Sequence, residues 1–171
     1  MLSYKHGYHA GNHADVLKHS VLIYLYNLEK KLNKSISYID THSGNGIYKY
    51  KSEYMEKNQE YKEGIKKIEK YDGSNKNIIN YLKILKNITI KNNFYPGSPY
   101  LISNISNRSD KLYFCELHNN EIKELKKNLK KYTNSKIINS NGFYFIERVI
   151  NNKKSFFTLI DPSYEIKNDF D

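Results

Sequence analysis

The chain has 171 residues, a formal net charge of +10 and a single cysteine. That length supports one domain with a real core and is short for two, and a lone cysteine excludes an internal disulfide, which suits a reducing cytoplasm. No apolar run approaches a membrane span and nothing near Met1 has the charged-then-apolar pattern of a secretion signal, so a soluble, cytoplasmic protein with no membrane partner is expected.

The positive balance ordinarily points to a polyanion such as RNA. Apart from Arg108 and Arg148, however, every Lys/Arg position is lysine, and the chain is crowded with Asn, Ile and Tyr. An AT-rich genome produces that composition whatever the function.

Residues 1–13 are polar, rich in His, Tyr and Gly, and carry no period. A helix follows, starting near Asn12 or His13, with Asp15 in its first turn and Val16, Leu17, Val21, Leu22, Leu25 and Leu28 as its apolar face. Residues 36–40 then read as a buried strand that stops at Asp40 and opens into Thr41-His42-Ser43-Gly44-Asn45-Gly46. In an open α/β sheet this is where a ligand binds, although Gly-Asn-Gly is also a plain turn. The loop has neither the dinucleotide glycine spacing nor the Lys-Ser/Thr of a P-loop, which argues against a dinucleotide or a nucleoside triphosphate.

From about 48 to 94 the spacing becomes Lys/Glu-rich and helical, in two segments divided by Asp72-Gly73-Ser74, and reads as a helical insertion. Tyr95-Pro96-Gly97-Ser98-Pro99 reads as a turn feeding a helix that ends near Asn107, with Ser98 as N-cap and Pro99 first in the helix. Strands at 112–117, 137–138 and 156–160 alternate with helices at 119–132 and 142–151. The last of these helices is expected to turn Phe143, Phe145 and Ile146 inward. Strand–helix alternation with short connections implies parallel pairing, hence a doubly wound α/β fold.

Three strands therefore end in Asp40, Glu116 and Asp161 at one sheet edge. An acid at the tip of the second strand can accept hydrogen bonds from ribose hydroxyls, or it is simply a solvated terminus. Asn141 can meet an adenine edge. Asp161-Pro162-Ser163-Tyr164 is either a turn or a variant of the Asp/Asn-Pro-Pro-aromatic motif of N-methyltransferases acting on exocyclic amines. In that motif the acid and the next carbonyl accept hydrogen bonds from the amine while the aromatic stacks on the base. Ser163 stands where the motif has its second proline. The histidines His6, His9, His13 and His19 put no more than a pair on one helical face, so a metal site is not expected; the plain alternative is that several cap the first helix.

Met1-Leu2-Ser3-Tyr4-Lys5-His6 and His9-Ala10-Gly11-Asn12-His13-Ala14-Asp15-Val16-Leu17-Lys18-His19 resemble the opening of the bacterial 23S rRNA adenine(2030)-N6-methyltransferases, the ribosomal RNA large subunit methyltransferase J family. The likeness continues in order through Asp40-Thr41-His42-Ser43-Gly44, Tyr95-Pro96-Gly97-Ser98-Pro99, Glu116-Leu117-His118, Gly142-Phe143 and Asp161-Pro162-Ser163-Tyr164. The resemblance implies a Rossmann-like class I methyltransferase fold over residues 1–171, with S-adenosyl-L-methionine as cofactor and free or partly assembled 23S rRNA as partner. It further implies cofactor contacts from Lys18, His19, His42, Ser98, Glu116, Asn141, Gly142 and Asp161, with Asp161 also catalytic, and RNA contacts from Tyr4, His6 and Tyr164. Asn141 stands where the family usually has Asp, which keeps an oxygen acceptor and loses a charge. The family continues well past Tyr164, so the strand ending at Asp161 is expected to be an open apolar edge, with a complementing C-terminal half as a possible partner. A remnant that binds RNA or cofactor without turnover is the alternative function.

Overall fold

A computed structural model of the chain describes residues 6–89, 93–150 and 155–163. Tyr4 and Tyr164 lie outside the described residues.

The elements run α1 (His13–Leu32), β1 (Ser37–Asp40), β2 (Ile47–Lys49), α2 (Glu53–Asn58), α3 (Ile65–Ile68), α4 (Lys76–Thr89), β3 (Phe94–Pro96), α5 (Ser98–Ile105), β4 (Lys111–Glu116), α6 (Asn119–Leu129), β5 (Ser135–Asn139), α7 (Gly142–Ile150) and β6 (Phe157–Leu159). Four strands form one sheet in the order β5-β4-β1-β6, with every neighbouring pair parallel. This is the expected α/β class, with β1 and β4 central. Among the described residues β6 pairs only with β1 and leaves its other edge open.

The sequence reading missed a second sheet. Ile47, Tyr48 and Lys49 pair antiparallel with Pro96, Tyr95 and Phe94, so the helical segment is bracketed by a two-stranded ribbon rather than entered through loops. Three-residue strands carry too little alternation to register as a period. The first helical segment is also broken: Gln59 takes a left-handed conformation (φ 53°) after α2 and a short 3₁₀ turn precedes α3.

Two further expectations are corrected. Asn12 caps α1 by accepting from the Asp15 amide at 2.9 Å, but the buried face is Asp15, His19, Leu22, Ile23 and Tyr26. Leu17, Val21 and Leu25, expected inside, are 66%, 45% and 41% exposed. Both stripes recur at helical spacing, and tertiary packing selects the one whose polar members have buried partners. At α5 the N-cap is Gly97, with no side-chain cap; Ser98 is already helical. Its hydroxyl instead hydrogen-bonds Asp40.

The core is unusually rich in tyrosine: Tyr26, Tyr38, Tyr81 and Tyr95 are all fully buried. Each buried phenol needs a polar partner. Tyr26 donates to Asp110 at 2.8 Å and Tyr81 meets Tyr95 at 3.0 Å. Asp110, itself buried, also accepts from the Ile36 amide at 2.9 Å and the Asn107 amide at 2.7 Å, joining α1, the start of β1 and the turn before β4. Asp110→Ala, which strands two amides and a phenol, is expected to cost about 3 kcal/mol, against about 1 kcal/mol for Tyr26→Phe. Urea unfolding of the two variants checks the ratio.

Candidate active site at the carboxyl edge of the sheet

Because the four strands are parallel, their carboxyl ends open on one side. The loop after β1 is tied across that edge: the Thr41 amide donates to Leu159 O at 3.1 Å, the Ser43 amide to Cys115 O at 3.0 Å and the Gly44 amide to Glu116 Oε2 at 2.7 Å. Gly44 holds φ 59°, a conformation disfavoured for residues with a Cβ. The loop thus bridges β6 and β4 over the end of β1.

A cavity of about 330 Å³ lies above this bridge. His6, Lys18, His19, His42, Ser98, Glu116, Asn141, Gly142 and Asp161, residues singled out from sequence, all line it, and so does Ser163. Asp40 does not. It is fully buried beneath the floor, where burial pushes its carboxyl up to about 6 against the Ser98 hydrogen bond and the charge of Lys18. Asp40 is therefore a support for Ser98 and the loop, not a wall of the cavity.

Glu116 is 7% exposed. Its oxygens accept from the Gly44 and His118 amides, each at 2.7 Å. Those bonds fix the carboxylate's orientation while each oxygen keeps a second lone-pair direction for a ligand hydroxyl. Asn141 has a role that sequence reasoning did not assign: its Oδ1 accepts from the Phe143 and Tyr144 amides at 2.9 and 3.4 Å, capping α7. Asn and Asp cap almost equally well. Gly142 brings the start of α7 against β1 so closely that a Cβ there would lie 2.3 Å from Thr41 O. Only glycine leaves that backbone free to approach.

Phe143, expected in the core, is 38% exposed, lines the cavity and stands edge-on to His42 at 5.4 Å. Leu117, 51% exposed, lines it too. The site thus has apolar walls beside the Glu116 carboxylate, as a nucleoside would require.

On the β6 side, Lys18 Nζ lies 2.6 Å from Asp161 Oδ2 and 2.7 Å from Asp15 Oδ1. Although burial opposes its charge, the two carboxylates raise Lys18 above an ordinary lysine. Asp15 likewise resists burial: His6 and Lys18 hold it well below the usual carboxylate range. It was legible in the sequence only as a first-turn acid, yet it stands three residues before Lys18 and four before His19, the spacings that share one helix face. His19 is 1% exposed and its Nδ1 lies 2.7 Å from the Tyr95 hydroxyl. Among the histidines considered as ligands, His6 pairs with Asp15 at 3.0 Å and His9 with Glu60 at 2.8 Å.

Burial lowers His19 to about 3, with Asp15 acting against it, from an ordinary 6.5. Between those values the unfolded chain binds a proton that the folded chain refuses, so stability falls as pH drops through 6.5. Asp40 acts oppositely, since a folded value of about 6 against 3.8 favours the fold as pH falls from 6 to 4. A His19→Asn variant, with an amide near the Nδ1 position, isolates the first effect. From pH 7 to 5 the unmodified chain should lose about 2 kcal/mol more than the variant, as read by urea unfolding at each pH.

Comparisons with known proteins agree on one family. Residues 33–171 match the model described as Ribosomal RNA large subunit methyltransferase D, RlmJ. Ribosomal RNA large subunit methyltransferase J of Haemophilus influenzae is 37% identical over 175 residues, covering 100% of this chain and 62% of that protein. Its Escherichia coli namesake is 35% identical over 173 residues, covering 99% and 62%. The crystal structure of protein LPL1258 from Legionella pneumophila, of the DUF519 family, superposes with a TM-score of 0.82 at 34% identity over 94% of this chain and 60% of that one. The chain spans about three-fifths of the length of these relatives, and by the match to the family model and these likenesses it belongs to the ribosomal RNA large subunit methyltransferase J family.

Proposed function

We propose that this chain carries the cofactor and target site of an S-adenosyl-L-methionine-dependent N6-methyltransferase acting on an adenine of 23S ribosomal RNA. The observation that carries the reading is the convergence of Glu116, the Asn141–Gly142 turn and the Lys18–Asp161 pair on one nucleoside-sized cavity. The names of the relatives support the reaction class and the RNA.

The donor set fits the cofactor. Glu116, oriented by two amides, would receive the ribose hydroxyls, while Phe143 and Leu117 would flank the adenine. His19, His42 and Ser98 would line the methionine side. The cofactor, when bound, supplies a methyl group on a sulfonium centre.

The target amine lends its lone pair to the adenine ring and is a poor nucleophile until that delocalisation is reduced. Asp161 would accept a hydrogen bond from one amine N–H and the Pro162 carbonyl another, biasing the nitrogen toward a tetrahedral geometry. As the N–C bond forms, the bond from the methyl carbon to the sulfonium sulfur would break, leaving a neutral thioether, and the proton leaving nitrogen would pass to Asp161. Lys18 keeps Asp161 oriented, at 2.6 Å. His6 would stand at the RNA side of the cavity, with Tyr4 and Tyr164 as further RNA contacts. Ser163 supplies the backbone of the motif without the rigidity of a second proline.

Methyl incorporation into unmethylated 23S rRNA tests the reading. Asp161→Ala should reduce it at least about a hundredfold, in line with loss of the group that accepts the proton from the target amine. Glu116→Gln should weaken cofactor binding about tenfold, a change of about 1.4 kcal/mol by calorimetry. Equal incorporation by the unmodified chain and Asp161→Ala would end the assignment, and cofactor binding without any turnover would favour a binding-only protein.

A further inference from the structure

Besides Asp40, a second carboxylate lies behind the cavity, hydrogen-bonded by three donors and unused by the reaction as described. Asp15 is 2% exposed. Its Oδ1 holds Lys18 Nζ at 2.7 Å, and its Oδ2 accepts from His6 Nε2 at 3.0 Å and the Gly11 amide at 2.9 Å. His6, Lys18 and Asp161 line the cavity, whereas Asp15 stands behind them.

We propose that Asp15 is a positioning residue: it carries Lys18, and with it the N-terminal segment, so that Asp161 meets the target amine beside an ammonium already held from below. This deepens the proposed function and rests on its reading of Asp161 as the acceptor.

Two features assign the holding role to Asp15 rather than to Asp161. First, Asp15 and Lys18 are three residues apart on α1, so the helix fixes their separation, whereas Asp161 arrives 143 residues later on the segment after β6. Second, side-chain exposure rises from 2% at Asp15 through 19% at Lys18 to 35% at Asp161. Attraction between charges strengthens as water is excluded, so the inner pair is the stronger. The outer carboxylate shares a cation that is already half-satisfied and does not have to neutralise it alone.

The chemistry of an isosteric change makes this testable. Asparagine at 15 fills the same space but has one oxygen and one NH₂, while three donors converge on the site. Whichever way the amide turns, it sets a donor against a donor. Turned to keep His6 and Gly11, it faces Lys18 with NH₂, and the ammonium is left to swing onto Asp161.

The test combines a spectroscopic and a kinetic readout on the full chain. An ammonium held rigidly by hydrogen bonds exchanges slowly enough to give a ¹H–¹⁵N signal, assigned to Lys18 by its loss in Lys18→Arg. The signal is expected in the unmodified chain, retained in Asp161→Asn and lost in Asp15→Asn. In rRNA methylation, Asp15→Asn should lower kcat about tenfold with the KM for S-adenosylmethionine changed less than threefold, a split that general loosening of the fold would not produce. Absence of the signal from the unmodified chain, its survival in Asp15→Asn with loss in Asp161→Asn, or a kcat within twofold in Asp15→Asn would each overturn the proposal. An unmodified chain without turnover would instead count against the proposed function, and the spectra would still decide which carboxylate holds Lys18.

Discussion

The carboxyl edge of the sheet is held by the loop that leaves β1. Three backbone amides of that loop, from Thr41, Ser43 and Gly44, are taken up by β6, β4 and the Glu116 side chain. A loop so tied cannot shift without breaking bonds to strands on both sides. It ties the Glu116 end of β4 to Leu159 at the end of β6, two residues before Asp161. The same bonds hold the β1 end where Gly142 can pack against Thr41, so the three corners of the site share one reference.

Beneath this edge the molecule keeps an unusual amount of polar chemistry in its interior. Asp15, His19, Asp40 and Asp110 are all buried, and Tyr26, Tyr38, Tyr81 and Tyr95 are fully buried with them. Among the described residues no buried side-chain nitrogen or oxygen lacks a hydrogen-bond partner. Such networks are stabilising only when complete, because each group removed from water is costly without its partner. The interior is accordingly specific about which helix face it accepts. α1 turns Asp15, His19 and Tyr26 inward together with Leu22 and Ile23, and leaves Leu17, Val21 and Leu25 outward.

The charges near Asp161 are arranged by depth. The innermost, Asp15, is locked by three donors; Lys18 sits between; Asp161 is at the surface of the cavity. Alternating sign along that line lets a cation be kept in a half-buried place without leaving it uncompensated. It also connects the N-terminal segment to the segment after β6, since His6 and Asp161 share, through Asp15 and Lys18, one network.

Much of the architecture was legible from local pattern. The strands at 36–40 and 112–117, the α6 face of Ile122, Leu125 and Leu129, and the acidic ends of β1 and β4 all follow from short-range preference, and parallel order follows from strand–helix alternation. What local pattern left undecided was every choice between competing partners. α1 has two apolar stripes, and only the cavity and the Tyr95 hydroxyl select the one bearing Asp15 and His19. Asn141, at the cavity wall, also caps α7 through its Oδ1; Asp40, at the tip of β1, is buried beneath the cavity and supports Ser98. A residue type states what a side chain can bond to, whereas which bond it makes depends on groups brought beside it from 76 residues away at Tyr95 and 143 residues away at Asp161, and only the folded chain supplies those.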